Sequence, residues 1–266
     1  MRRIVIIGTV VAALVGAAAA YATSNNYSES ALAFAPKGAG SPARPKIVNM
    51  TETLQANAPS GDRAAPLTDI KLEVYGVRTN GNLFATCTDG QIEANPVKYE
   101  RACPPQSMIG KGPVASELGP SDNPSQAGTA CNPYLKVFNG GKSTQVFFFT
   151  TAPDAPSQNT CAGLRTGSTA PYDGHISYAR KWWTLNISLP SDISTEVANL
   201  PGLYGSLISE DLSPISDTKT INGQKRGYME SIACQSGKRP WSITYTAPDY
   251  GTGANETQTV SGSAPC

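Results

Sequence analysis

The stretch Thr68-Asp69-Ile70-Lys71-Leu72-Glu73-Val74-Tyr75 alternates from end to end. Successive side chains of an extended chain point to opposite faces, so Ile70, Leu72 and Val74 share one side and Asp69, Lys71 and Glu73 the other. Such a segment is a half-buried strand, with one face on a core and one in water. The same period recurs at Trp183, Leu185, Ile187 and Leu189, set against Trp182, Thr184, Asn186 and Ser188. It recurs again at Trp241, Ile243, Tyr245 and Ala247, set against Ser242, Thr244 and Thr246.

Turn chemistry joins these strands. Residues 134–138 and 144–150 flank Asn139-Gly140-Gly141, whose residues tolerate the positive φ of a tight hairpin. The second arm holds Val146, Phe147, Phe148 and Phe149, apolar on both faces, which predicts a central strand covered on both sides. Residues 174–179 are the expected partner of 182–188, and residues 228–234, 241–247 and 257–263 read as a C-terminal meander. Ser191 or Ser194 can cap one short helix ended by Pro201-Gly202. Residues 23–66, with strand-like stretches at 31–34 and 46–54, read as a stem or a loosely attached first hairpin. The expected fold is therefore all-β: an antiparallel β-sandwich over residues 67–266, with at most one or two short helices.

Residues 1–22 have the form of an export signal. Met1-Arg2-Arg3 precedes an apolar run from Ile4 to Ala20, and Ala20-Tyr21-Ala22 fits the small-residue cleavage pattern. Uncleaved, the same run is long enough to act as an anchor. With Arg2 and Arg3 removed, 19 of the 21 basic residues remain against 20 acidic ones. A nearly neutral chain offers no field to gather phosphate backbones, so nucleic acid is not expected as a partner.

Six cysteines stand at 87, 103, 131, 161, 234 and 266, with no C-x-x-C pair. An even number downstream of an export signal argues for disulfides over metal ligands. The spacing suggests nested local bridges: Cys87 with Cys103, Cys131 with Cys161, and Cys234 with Cys266.

The strings Thr86-Cys87, Ala102-Cys103-Pro104, Ala170-Pro171-Tyr172, Tyr204-Gly205-Ser206, Gly237-Lys238-Arg239-Pro240 and Val260-Ser261-Gly262-Ser263-Ala264-Pro265-Cys266 resemble those of uncharacterised secreted bacterial proteins with six cysteines. The resemblance runs over most of the chain after the export signal. It implies an extracellular or cell-envelope location and an intact single fold, and it carries no activity and no functional residue.

Sites for chemistry are sparse. His175 is the single histidine, so multi-histidine zinc sites are excluded and a Ser-His-Asp triad would have to use it. No G-x-S-x-G elbow selects a serine. Asp89, Glu93, Glu117, Asp122, Glu210 and Asp211 are available as a glycosidase pair, but spacing selects none of them. Asp122-Asn123, Asp173-Gly174 and Asp249 suit turns as well as they suit calcium. No catalytic residue, metal ligand or cofactor is therefore assigned. The side chain singled out is Trp182, which alternation places on the polar face opposite Trp183. An exposed aromatic there can stack on a sugar ring or anchor a partner; a covered one is ordinary core, the commoner case. The functional expectation is a non-enzymatic structural or adhesive module, facing a cell-wall glycan or another envelope protein. A carbohydrate-binding module using exposed aromatics and a secreted hydrolase are the alternatives.

Overall fold

The computed structural model describes residues 25–58, 63–95, 102–119, 128–150, 170–194, 202–215, 217–248 and 254–266. The expected export signal, Cys161, Asp122, Asn123 and Asp249 lie outside them. In chain order the strands are β1 (Ala31–Ala35), β2 (Lys46–Ile47), β3 (Asn49–Gln55), β4 (Asp69–Tyr75), β5 (Val77–Thr79), β6 (Met108–Gly119), β7 (Thr129–Ala130), β8 (Tyr134–Asn139) and β9 (Thr144–Thr150). There follow β10 (Tyr172–Ala179), β11 (Trp182–Ser188), β12 (Tyr204–Pro214), β13 (Thr218–Ile221), β14 (Gln224–Gly227), β15 (Met229–Ser231), β16 (Lys238–Pro248) and β17 (Asn255–Pro265). Two short α-helices, α1 (Asp89–Glu93) and α2 (Ser191–Ser194), and single 3-10 turns at Gly81–Leu83 and Pro105–Ser107 complete the described elements.

The main sheet runs β1-β3-β12-β6-β8-β9-β10-β11-β4-β16-β17, with β7 added beside β6. Every pairing is antiparallel. Long β6 belongs to both layers: its first half pairs with β8, while Gly110 to Gly119 pair with β12. Strands that turn a corner in this way fold one sheet over another. Gly112 permits it, because a Cβ there would lie 1.8 Å from the Asp211 carbonyl oxygen. The sheet curls until its two ends meet, giving a near-barrel sandwich. At the seam the Tyr27 backbone N–H donates to Gln258 Oε1 at 2.8 Å, and the Tyr27 ring stacks on Tyr245 at 4.2 Å.

The alternating residues fill the interior as expected. Ile70, Leu72 and Val74 of β4 pack with Trp183, Leu185 and Ile187 of β11 and with Trp241, Ile243 and Tyr245 of β16. Gly262 leaves room for the Trp241 indole, since a Cβ there would come within 2.3 Å of the ring. Residues 174–179 pair with 182–187 as the expected partner strands, Gly174 opposite Ile187 and Ala179 opposite Trp182, and β8 pairs with β9 around Asn139-Gly140-Gly141. Both faces of β9 are covered. Phe147 and Phe149 join the main core, while Val146 and Phe148 pack with Phe138, Ile92 and the two cysteines of the Cys87–Cys103 bridge. Thr88 caps α1 with a reciprocal Thr88–Gln91 box and so positions Ile92. Within 23–66, β1 and β3 form a hairpin whose Leu32, Phe34 and Leu54 lie in the main core.

The C-terminal meander requires correction. Strands β16 and β17 form the expected hairpin, but β15 leaves the main sheet and pairs with β2 and β5 in a small separate sheet. A buried charge cluster holds it there. Arg78 donates twice to Glu230 Oε2 at 3.0 and 2.9 Å, and Arg226 donates to Oε1 at 2.7 Å and to Oε2 at 2.9 Å. The place beside β16 that the meander assigned to β15 is filled by β4.

The bridges Cys87–Cys103 and Cys234–Cys266 are present, with Cα atoms 5.2 and 6.4 Å apart. Cys131 is disulfide-bonded, and its expected partner falls outside the described residues. Ser236 and Gly237 take positive φ in the turn before β16, and the Cys266 N–H donates to the Gly237 carbonyl at 3.0 Å.

Candidate functional site

The outward faces of β10, β11, β4, β16 and β17 form a continuous polar surface, because the pleat that sends Leu72 inward sends Lys71 and Glu73 outward. The registers align the outward residues in rows across the strands. One row is Ser177, Thr184, Glu73, Ser242 and Ser261; the next is His175, Asn186, Lys71, Thr244 and Thr259; a third is Ser188, Asp69, Thr246 and Thr257. Five strands at ordinary spacing make the face about 19 Å wide.

Small hydroxyls dominate and charge is nearly cancelled. Lys71 and Glu73 pair with each other at 3.0 Å, Ser188 Oγ donates to Asp69 Oδ1 at 2.8 Å, and the Thr244 and Thr259 hydroxyls lie 2.9 Å apart. Thr184 is buried under its neighbours, whereas His175, Ser177, Asn186, Ser188, Thr257, Thr259 and Ser261 are exposed.

Trp182 stands at one end of this surface. It is half-buried and lies opposite Ala179 on one side and Tyr75 on the other. The Trp182 and Tyr75 rings meet edge to face, with centroids 5.5 Å apart and planes at 75°. Trp183 and Trp241 are buried, as alternation requires. Trp182 is thus neither core nor isolated, and Tyr75 is the partner that local patterning did not supply. The signal for it was available, since Tyr75 continues the outward set Asp69, Lys71 and Glu73.

The remaining sequence candidates do not assemble. His175 is exposed between Thr144 and Asn186, and its side chain makes no hydrogen bond to a described residue. Asp173 has an oxygen buried without a hydrogen-bond partner; burial and the nearby Asp89 raise its pKa, with His175 opposing them. Among the described residues no group of three or more His, Cys, Asp or Glu side chains is arranged to hold a metal ion.

One acidic pair was hidden from the sequence. Glu210 is 8 % exposed and Glu52, which no pattern singled out, is 6 % exposed. Both face inward, on β12 and β3. Burial pushes the Glu52 carboxyl up to about 7. Glu210 is raised well above the carboxylate range by burial, then by Glu52 and Asp211. Their outward-pointing neighbours on the same strands are ordinary strand polar residues, so only the pairing of β3 with β12 reveals them.

No family model, no curated protein and no solved structure matches this chain.

Proposed function

We propose that the protein is an extracellular, non-enzymatic adhesive module that binds carbohydrate through the outward face of β10, β11, β4, β16 and β17. The observation that carries this reading is Trp182, half-exposed and braced by Tyr75 at the end of a sheet face rich in hydroxyl and amide groups. A sugar ring needs an apolar platform for its C–H face and hydrogen-bonding groups around its rim. The indole supplies the first, and Asn186, Ser177 and the Ser/Thr rows supply the second.

A protein partner would want a different surface. Protein interfaces centre on several large apolar or aromatic side chains, and among the described residues the one exposed large hydrophobic is Tyr178, at 49 %. Its hydroxyl is engaged with Thr79 away from this face. The disulfides favour an oxidising compartment, in keeping with the export pattern of residues 1–22, and a bacterial cell-wall glycan is the ligand class we assign. The outward Ser, Thr, Lys and Glu are unlike the apolar belt of a lipid-facing barrel.

Co-sedimentation with purified cell-wall sacculi, alongside a glycan array, tests the proposal. Wild-type protein should bind at least one polysaccharide, and Trp182→Ala should weaken binding by roughly tenfold or more while leaving the melting temperature close to wild type. Silence on every glycan, or equal binding by Trp182→Ala, would overturn it.

A further inference from the structure

We propose that the ligand held at Trp182 is an anionic polysaccharide, its carboxylate or phosphate oxygens met by Arg180, Lys181 and Lys238, an assignment that rests on the carbohydrate reading of the same sheet face. All three cations are exposed, and none forms an ion pair with a described residue. The fold gathers them at one end of that face. Arg180 and Lys181 form the two-residue turn that closes Ala179 against Trp182. Strand β4 ends beside this turn: the Gly76 N–H donates to the Lys181 carbonyl at 2.8 Å, and the Gly76 carbonyl accepts from Ile232 and Ala233 at 2.8 and 3.2 Å. Strand β16 begins at the same end. Val74 stands opposite Trp241, so Pro240 follows beside Tyr75 and Lys238 lies two residues further out. The pleat puts Lys238 and Pro240 on the outward side, since Arg239 between them is buried.

Trp182, Tyr75 and Pro240, all half-buried, thus form an apolar ledge across three adjacent strands, about 10 Å from side to side. Arg180 and Lys181 stand at its β11 side and Lys238 at its β16 side. Charge is sorted along the sheet. Lys71 and Glu73 neutralise each other in the middle, and Asp69 and Glu256 stand at the far end, near the starts of β4 and β17. The small sheet of β2, β15 and β5 adjoins the Trp182 end, and its one carboxylate, Glu230, is already held by Arg78 and Arg226. A nearly neutral chain therefore has a face with an electrical direction. An anionic polymer is drawn to the ledge and turned away from the opposite end.

The backbone supplies a second observation. Arg180 takes φ 57°, a left-handed conformation that Gly and Asn adopt at lower cost. A long cationic side chain stands where turn formation alone favours Gly or Asn, and such local strain is typical of ligand-contacting positions. A guanidinium meets two anionic oxygens at once, and each lysine adds a point charge. A neutral glycan would use none of the three.

Co-sedimentation of the whole protein with bacterial sacculi tests this in three arms: untreated, stripped of phosphodiester-linked polymers with hydrofluoric acid, and carboxyl-amidated with carbodiimide and methylamine. Affinity should fall by roughly tenfold or more after at least one treatment, the first marking phosphate as the anion and the second carboxylate. Arg180→Asn, Lys181→Gln and Lys238→Gln should each weaken binding to untreated sacculi roughly threefold. Raising sodium chloride from about 0.05 to about 0.5 M should weaken wild type more than the three substitutions combined. Arg180→Asn should hold or raise the melting temperature, which separates lost charge from lost fold, and Lys225→Gln, exposed on β14 outside this face, should bind like wild type. Binding undiminished by both treatments, or by the combined variant, would overturn the anionic assignment and leave the carbohydrate reading standing wherever Trp182→Ala still loses affinity. No binding to any sacculi would overturn both. Single-stranded DNA held as tightly as sacculi, with no loss in Trp182→Ala, would also overturn the assignment, because charge alone would then account for binding.

Discussion

Glu52 and Glu230 are both buried glutamates, and their surroundings drive them in opposite directions. Glu52 sits among leucines and tyrosines, and burial raises its carboxyl from 4.5 to about 7. Burial would raise Glu230 too, but hydrogen bonds from Arg226, Asn80 and Arg78 outweigh it and bring that carboxyl down to about 2. A raised carboxyl pKa means that the folded state holds a proton the unfolded chain has lost, so stability falls as pH rises from about 4.5 to 7. A depressed one contributes stability above about 4.5 that is lost as pH falls toward 2. The melting temperature should therefore peak near pH 4–5. Glu52→Gln should flatten the neutral limb, recovering on the order of 2–3 kcal/mol at pH 8, and leave the acid limb in place. Denaturant unfolding from pH 2.5 to 8 checks this; a neutral limb unchanged in Glu52→Gln would contradict it.

Among the elements, residues 80–95 and 102–107, between β5 and β6, act as a lid on the outer face of the β8–β9 hairpin. Asn139 fixes it by donating to the Gly81 and Ala85 carbonyls at 2.8 and 2.9 Å, and the Cys87–Cys103 bridge closes it over Phe148. Replacing both cysteines by serine should cost about 3 kcal/mol through the freed loop and should expose Val146 and Phe148. Dye binding to exposed apolar surface should rise before global unfolding, and a single unfolding transition with no such rise would rule the lid out. This lid was half legible. Four apolar residues in succession in β9 announced that both faces are covered, and the cysteine spacing gave the bridge. The capped helix that inserts Ile92 was missed, because five residues are too short to display a helical period.

Across the whole molecule, sequence patterning recovered what is local and lost what is not. Alternation at 68–75, 182–189 and 241–247 gave the strands, their inward faces and the nearest hairpins, since each depends on a period of two and a turn. It could not place β4 between β11 and β16, because that contact joins residues far apart in the chain. It sent 228–234 into the wrong sheet, because Met229, Glu230 and Ser231 are all buried and are held by arginines rather than by an apolar period. The candidate surface was legible to the same degree: Trp182 stood out, while its brace by Tyr75 and the rows beyond it needed the sheet order. Among the described residues no helix is long and apolar enough to cross a membrane. With three tryptophans in the chain, the most direct measurement is a nitrogen–proton correlation spectrum of the three indole N–H signals during titration with a soluble cell-wall glycan. The Trp182 signal should shift while those of Trp183 and Trp241 stay fixed; three unmoved signals, or movement confined to the two buried indoles, would contradict the account.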